Sequence, residues 1–323
     1  MDLDEIVLPI RDEIKLFNNE FKRAIRSKVG LVDTIARYIL RQKGKKIRPM
    51  LVLLSAAATG GINDSTYRAA TMVELLHTAT LIHDDVVDSA DTRRGIASIN
   101  AVWKNKIAVL MGDYLLSRGL LLSLENNEFR FLTVSSVAVK RMSEGELLQI
   151  QKSRQLDMDE ATYFSIISDK TASLISTCCE LGAVSATRDE ETIVHLRNFG
   201  EYVGLAFQIR DDVLDYEGKA ATLGKPIGGD IRERKVTLPL IYALENAPKN
   251  EARSVLRLLK KGKTGSRIGE VIKFAEKYGG IEQAHNKAEE FISNARLELA
   301  GIAESESKES LLRLTDFVVE RVS

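Results

Sequence analysis

The sequence predicts an all-α fold, a single large helical bundle spanning residues 1–323, on three observations. Proline is scarce, five in 323 residues, against a usual share of roughly 5%, and helix interiors exclude it. Apolar residues recur at three- and four-residue steps along most of the chain. The breaks between these stretches are short, and no shift in composition marks a domain border. At about 150 residues per domain the length allows two domains or one large one. A chain of this size buries a sizeable core without covalent staples.

In chain order, Gly44-Lys45-Lys46-Ile47-Arg48-Pro49 reads as a turn leading into a helix. Residues 64–90 place Met72, Leu75, Leu76, Ala79, Ile82 and Val86 on one stripe. Helical periodicity returns over 106–123, 128–151, 160–184, 189–216, 236–245, 251–260, 267–277, 281–299 and 308–321. Several of these are apolar on more than one face, as suits a helix ringed by others. Gly60-Gly61, Glu125-Asn126-Asn127, Asp157-Met158-Asp159 and Gly279-Gly280 punctuate them. Residues 217–230, with four glycines and Pro226, form the loop most suited to a functional flap.

Forty-six basic and 46 acidic residues give a formal net charge of zero. That argues against nucleic acid or an anionic membrane held by bulk charge. Cys178 and Cys179 are adjacent, so they build neither a disulfide framework nor a CxxC metal knuckle. The start, Met-Asp-Leu-Asp-Glu, lacks the basic and apolar regions of a signal peptide. No apolar run approaches the ~18 residues of a membrane span. A reduced, cytoplasmic protein is expected.

The chemistry lies in an internal echo. Leu81-Ile82-His83-Asp84-Asp85-Val86-Val87-Asp88 recurs as Gln208-Ile209-Arg210-Asp211-Asp212-Val213-Leu214-Asp215. On a helix, carboxylates three and four apart share a face and repel by a few tenths of a kcal/mol. In apolar surroundings an unpaired carboxylate costs far more. One such copy reads equally well as a solvated acidic helix end. Two copies, each flanked by aliphatic residues, call for a hard cation, and Mg²⁺ held by one or two carboxylates, water and substrate phosphate fits. Basic residues supply the other half: Lys45, Lys46 and Arg48; Arg93-Arg94-Gly95 just past the first motif; Lys170-Thr171 and Lys225 flanking the second. Each alone reads as a solvated face, but together with the carboxylates they describe a polyphosphate-ester pocket. Neither a P-loop nor a dinucleotide fingerprint is present.

These segments resemble, in order and over essentially the whole chain, the signatures of the trans-prenyl diphosphate synthases, and most closely their long-chain, octaprenyl type. The resemblance implies a helical bundle around a deep apolar cavity, a homodimer, and two acidic motifs facing each other across the cavity mouth. It implies as substrates isopentenyl diphosphate and an allylic prenyl diphosphate, with about three Mg²⁺ per site. By position, Asp84, Asp88 and Asp211 resemble the Mg²⁺ ligands, with Asp212 and Asp215 ordering water around the metal. Lys45, Arg48, His77 and Arg94 resemble the isopentenyl diphosphate pocket. Arg93, Lys170, Thr171, Gln208, Lys225 and Lys235 would surround the allylic diphosphate. No protein general base is evident; His77 is expected as a phosphate donor and His83 as a partner behind the carboxylates. Lys46 stands where arginine is common in this family, which keeps the charge and loses bidentate geometry. The tail carries no basic run, so a basic C-terminal lid is not expected.

Chain length turns on the helix before the first motif. Five residues before Asp84 stands Ala79, where a bulky aromatic in the family resembles a floor that stops growth early. A small residue there moves the floor deeper, toward Leu75 and Met72, with Met111, Leu115, Phe131 or Leu132 facing them. A long product of the kind used for quinone side chains is expected. The alternatives are a short-chain (C15–C20) synthase, a class I terpene cyclase and a non-catalytic subunit of a two-component synthase. A cyclase tends to carry a different second motif and needs no second-substrate pocket. A non-catalytic subunit would be expected to lose acidic residues, and none is missing here.

Overall fold

The computed structural model describes residues 3–42, 44–93, 95–217, 228–260 and 267–320. They are helical nearly throughout, joined by short turns. The N-terminal part comprises α1 (Leu3–Ile6), α2 (Arg11–Ala24), α3 (Gly30–Arg41) and α4 (Ile47–Thr59). The long helices follow: α5 (Asp64–Val87), α6 (Ile99–Glu125), α7 (Phe129–Gln155), α8 (Glu160–Ile167), α9 (Ser173–Ala186) and α10 (Glu190–Glu217). Then come α11 (Gly229–Arg232), α12 (Leu238–Asn246), α13 (Lys249–Lys260), α14 (Ile268–Lys277), α15 (Gly280–Glu298) and α16 (Glu306–Glu320).

Local chemistry starts these helices where they start. Asn63 and Thr66 form a reciprocal capping box at α5, worth about 1 kcal/mol. Ser98 caps α6 and Asp159 caps α8 through the Thr162 N–H at 2.8 Å. Packing then fixes the bundle: α5 lies along α6, α9 along both α4 and α10, and α15 along α10. Glycines permit the close crossings. A Cβ on Gly182 would stand 2.4 Å from the Val52 carbonyl oxygen, and one on Gly200 would stand 2.7 Å from Ser176 Cα. On α6, Gly112 meets the His83 ring and Gly119 lies against Leu75 and Leu76.

The core has two apolar clusters. One gathers around α4, α5, α6 and α9, with Met50, Leu54, Met72, Leu115 and Phe131 among its buried members. The other lies around α12, α14 and α15 and includes Ile209 and Val213 of α10. Tyr202 and Phe291 stack at 6.2 Å and pack against both.

The helical reading of the sequence needs four corrections. Helices α2 and α3 precede the first stripe read from the sequence, and each buries one apolar face, Phe17 and Phe21 of α2 and Ile35, Ala36 and Ile39 of α3. Thr92–Arg93 pairs antiparallel with Ile96–Ala97 in a small hairpin. The stretch 160–184 is interrupted by a π turn at Ser168–Ala172, closed by the Ser173 N–H on the Ser168 carbonyl. Finally, α6 is long and apolar enough to cross a membrane, with a mean hydropathy of 1.5 over its best window. No uninterrupted apolar run was needed for that; Met111, Gly112, Leu115 and Gly119 of the same helix are buried.

Candidate active site

The C-terminal end of α5 presents Asp84, Asp85 and Asp88, and they do different work. Asp85 is 4% exposed; its Oδ1 accepts from Arg93 Nε at 2.8 Å and Nη2 at 2.5 Å. The hairpin brings Arg93 back to this point. Asn100 donates to the carbonyls of Asp85 and Ala90, and Ser98 Oγ to the Ala90 carbonyl at 2.6 Å. Asp84 lies on another face of the helix. Burial pushes its carboxyl up from the usual range, Lys170 pulls against that, and Glu146 and Asp88 add to it. The resulting excess of negative charge is what a cation would relieve.

Lys170 and Thr171 stand on the π turn. Lys170 Nζ pairs with Glu146 and donates to Gln149 Oε1 at 3.0 Å, both on α7. Thr171 Oγ1 donates to Gln208 Oε1 at 2.9 Å. Gln208 in turn donates to Asp212 Oδ1 at 2.8 Å, and the Tyr163 hydroxyl to Asp212 Oδ2 at 2.7 Å. Lys170, Thr171, Gln208, Asp212, Asp230 and Lys235 line one cavity.

The second motif is therefore a correction as well as a match. Asp212 is 4% exposed with both oxygens hydrogen-bonded, and burial pushes its carboxyl up. It holds the Gln208 amide and the Tyr163 hydroxyl in place. Asp215 accepts from the N–H groups of Gly229 (2.9 Å) and Asp230 (3.0 Å), so it caps α11. Asp230 lies close enough to Asp211 and Asp215 to feel both charges. Burial lifts its carboxyl to about 6, Lys235 opposes this, and Asp215, Glu233 and Asp211 reinforce it. Lys235 Nζ lies 2.6 Å from Glu233 and 3.9 Å from Asp230, and also feels Asp88. Asp88, Lys235, Asp230 and Asp211 thus form an electrostatic chain linking the two acidic motifs.

A second cavity lies beside the first motif, lined in part by Gly44, Lys46, His77, Asp85 and Arg93. Arg48 Nη1 is 3.0 Å from His77 Nε2, so the arginine donates to a neutral ring. Lys46 bonds Asn18 and lies over the Phe17 ring, and burial pulls its ammonium down. Lys45 lies 5.6 Å over the ring of Phe317, on α16. Arg94 and Lys225 lie outside the described residues, as does most of the glycine-rich 217–230 segment. His83 is a further correction: its ring turns to α6, 3.3 Å from the Val109 carbonyl and 3.4 Å from Asp113, away from Asp84.

Among the described residues, no three acidic, histidine or cysteine side chains converge on one point. A Mg²⁺ ion here would take one or two carboxylate oxygens and complete its shell with water and phosphate, its usual arrangement with nucleotide and diphosphate substrates. The hard-oxygen donors at Asp84, Asp88 and Asp211 fit that requirement.

Ala79, Leu75 and Met72 are buried in the first core cluster. Met72 Sδ meets Ser123 of α6 and Ser135 of α7, so this face of α5 looks between those helices. Thr80, four residues before Asp84, lies on the Asp84 face instead.

The sequence model of the family described as Polyprenyl synthetase matches residues 29–276. The chain belongs to the polyprenyl synthetase family. This synthetase is 36% identical to the all-trans-nonaprenyl-diphosphate synthase (geranyl-diphosphate specific) of Rhodobacter capsulatus, over 98% of each chain. It is 33% identical to the octaprenyl diphosphate synthase of Haemophilus influenzae, over 99% of its own length and 98% of that enzyme. Among solved structures it superposes on a polyprenyl synthase from Caulobacter crescentus, complexed with calcium and isoprenyl diphosphate. That match has a TM-score of 0.92 and 34% identity, covering 100% of this chain and 98% of the other.

In this synthetase the site also contains residues that sequence reading passed over. Asp85, Tyr163, Glu146, Gln149 and Asp230 all contact the expected groups. Asp85 belongs to the first motif, and its bonds to Arg93 distinguish it from Asp84. Asp230 follows Gly228-Gly229 in the glycine-rich loop, and no local pattern ties it to Asp211.

Proposed function

We propose that this synthetase condenses isopentenyl diphosphate head to tail with an allylic prenyl diphosphate, giving a long-chain all-trans polyprenyl diphosphate and releasing diphosphate. The observation that carries this reading is the convergence of both acidic motifs, through Lys170 and Lys235, on one rim beside a second cationic cavity. A cyclase has no use for the second cavity. A non-catalytic subunit has no reason to keep Asp84, Asp88 and Asp211 together with Lys170 and Lys235.

Bound Mg²⁺, about three ions held by Asp84, Asp88 and Asp211 with substrate and water, would neutralise the diphosphate leaving group. Arg93, Lys170 and Lys235 hold the allylic diphosphate, joined by motif by Lys225, while Arg94 belongs by motif to the isopentenyl diphosphate pocket. Lys45, Arg48 and His77 hold isopentenyl diphosphate. As the allylic C–O bond breaks, the Thr171 and Gln208 dipoles face the developing cation and apolar walls exclude water. The isopentenyl double bond then forms the new C–C bond, and a proton leaves to the released diphosphate.

Purified protein with Mg²⁺, farnesyl diphosphate and isopentenyl diphosphate should release diphosphate only when both substrates are present. Its products should run beyond C20; arrest at C20 or shorter would refute the long-chain assignment. From Ala79 to Met72 the small-then-large series covers roughly 10 Å of helix, the depth over which the floor recedes. Ala79→Phe is expected to shorten the dominant product. Thr80→Phe is the companion variant on the Asp84 face, and unchanged products from Ala79→Phe would show that Ala79 does not border the growing chain.

A homodimer is part of the same proposal. The outer face of α6 carries exposed Val102, Val109, Leu110, Leu121 and Leu124, continued by Phe129 and Val137 of α7. An apolar patch of this kind marks an interaction surface. Light scattering should give twice the 35.9 kDa chain mass, and Leu110→Glu with Leu121→Glu should return it to the monomer. The protein is proposed to act as a soluble, cytoplasmic enzyme.

A further inference from the structure

The π turn that carries Lys170 and Thr171 is held from behind, by groups outside the cavity those residues line. Arg141, on α7, donates Nε to Asp169 Oδ1 at 2.7 Å, and Nη2 to Ser168 Oγ at 2.7 Å and to Glu201 Oε1 at 2.9 Å. Ser168 Oγ also donates to Glu201 Oε1 at 2.5 Å. Asp169 and Ser168 belong to the turn and Glu201 to α10, so one guanidinium ties three segments together. All four side chains are part-buried, where a charge-assisted network is stronger than on a fully solvated surface.

Shape repeats the arrangement. Gly145, four residues after Arg141, leaves room for the turn: a Cβ there would stand 2.9 Å from Asp169 Cβ and 3.0 Å from Lys170 N. Gly204, three residues after Glu201, does the same on the other side, its Cβ falling 2.5 Å from Ala172 Cα. Each flanking helix thus offers one polar hold and one glycine seat on a single face.

The width of the turn matters to what it displays. Consecutive residues point to different partners, Lys170 to Glu146 and Gln149 on α7 and Thr171 to Gln208 on α10. A π turn inside an α-helix is uncommon and is found mostly at functional sites.

We propose that Arg141, with Asp169 and Glu201, is a positioning element of the reaction: it fixes the π turn so that Lys170 and Thr171 reach the allylic substrate together. This rests on the functional reading above. It assigns no contact with substrate to Arg141.

The test is steady-state kinetics with farnesyl and isopentenyl diphosphates, beside thermal melts. Arg141→Met alone leaves two carboxylates facing each other, so the informative variant is Arg141→Met with Asp169→Asn and Glu201→Gln, which leaves no charge among the three. A folded triple variant should lose kcat by about 10- to 100-fold, the scale of an ångström-sized misplacement. The KM for isopentenyl diphosphate, whose proposed groups lie on α4 and α5, should stay within about twofold. Arg141→Lys should recover part of the lost kcat. A folded triple variant with wild-type kcat would overturn the proposal, as would a loss that only tracks the folded fraction. Should the triple variant not fold, Ser168→Ala serves: a kcat lowered about 2- to 5-fold with unchanged melting supports the clamp, and an unchanged kcat overturns it. Wild-type protein without activity would instead sink the functional reading.

Discussion

Asp84→Asn should abolish turnover while leaving the fold intact or slightly firmer. The expected loss in kcat is about 10³-fold or more, the scale on which removing a charged stabiliser of a transition state is felt. The carboxylate is the first of its motif and sits beside Lys170, and among the described residues no arginine holds it as Arg93 holds Asp85. Its replacement therefore removes charge where a leaving diphosphate is to be neutralised, and disturbs little packing. The stability arm has a definite sign. Burial raises the Asp84 carboxyl above its ordinary range, so its ionised form opposes folding once the pH exceeds the unfolded-state value. Melting measured at pH 7 without divalent cations should show Asp84→Asn no less stable than the wild type. A clear loss of stability, or kcat within tenfold of wild type, would remove Asp84 from the metal-binding role. Asp211→Asn is expected to behave likewise in activity. Asp85→Asn should instead loosen Arg93 and lower stability, because a half-buried guanidinium loses its carboxylate.

Gly182→Val should be the most damaging single change to the fold. Its Cβ would fall 2.4 Å from the Val52 carbonyl oxygen and 2.8 Å from Ser55 Cβ, and neither helix can yield without moving the core. Overpacking of this kind costs about 1–3 kcal/mol and occasionally more, and a β-branched side chain sits at the upper end. We expect loss of soluble protein, or a melting temperature lowered by several degrees. Gly30→Ala is the contrast: nothing lies within 4 Å of the added methyl at the start of α3. It should raise stability by about 0.5 kcal/mol, chiefly through the unfolded chain. Equal melting of the two variants would mean that the α4–α9 crossing is looser than described.

How much of this was legible in the residues varies with how local the cause is. The long helices followed from periodicity because α5 and α10 bury broad apolar faces. The two acidic motifs followed from spacing, since three- and four-residue steps place carboxylates together in any helix. What escaped depends on contacts between distant segments. Asp212 takes the place in its motif that buried Asp85 takes in the first, but its hydroxyl partner, Tyr163, lies 49 residues away. Asp215 is drawn off by two backbone N–H groups of α11, a helix too short to be read from its pattern. The π turn is invisible because its five residues fit a regular helix equally well; the groups packed and bonded against it, Arg141 and Gly145, lie on a different helix. His83 looked like a companion of Asp84 by sequence proximity, yet one residue rotates a side chain by about 100° around a helix, and that turns it to α6.

The Asp85–Arg93 pair has a consequence for how substrate meets the rim. A free arginine gives up substantial rotamer entropy when a ligand immobilises it. Here two of its five N–H groups are already anchored on a carboxylate that is itself buried, and the other three are left to point elsewhere. The ordering of that side chain is completed while the protein folds, by a hairpin two residues wide on each strand. An arriving diphosphate would find its donor preset and keep more of its own binding energy for the bond to be broken.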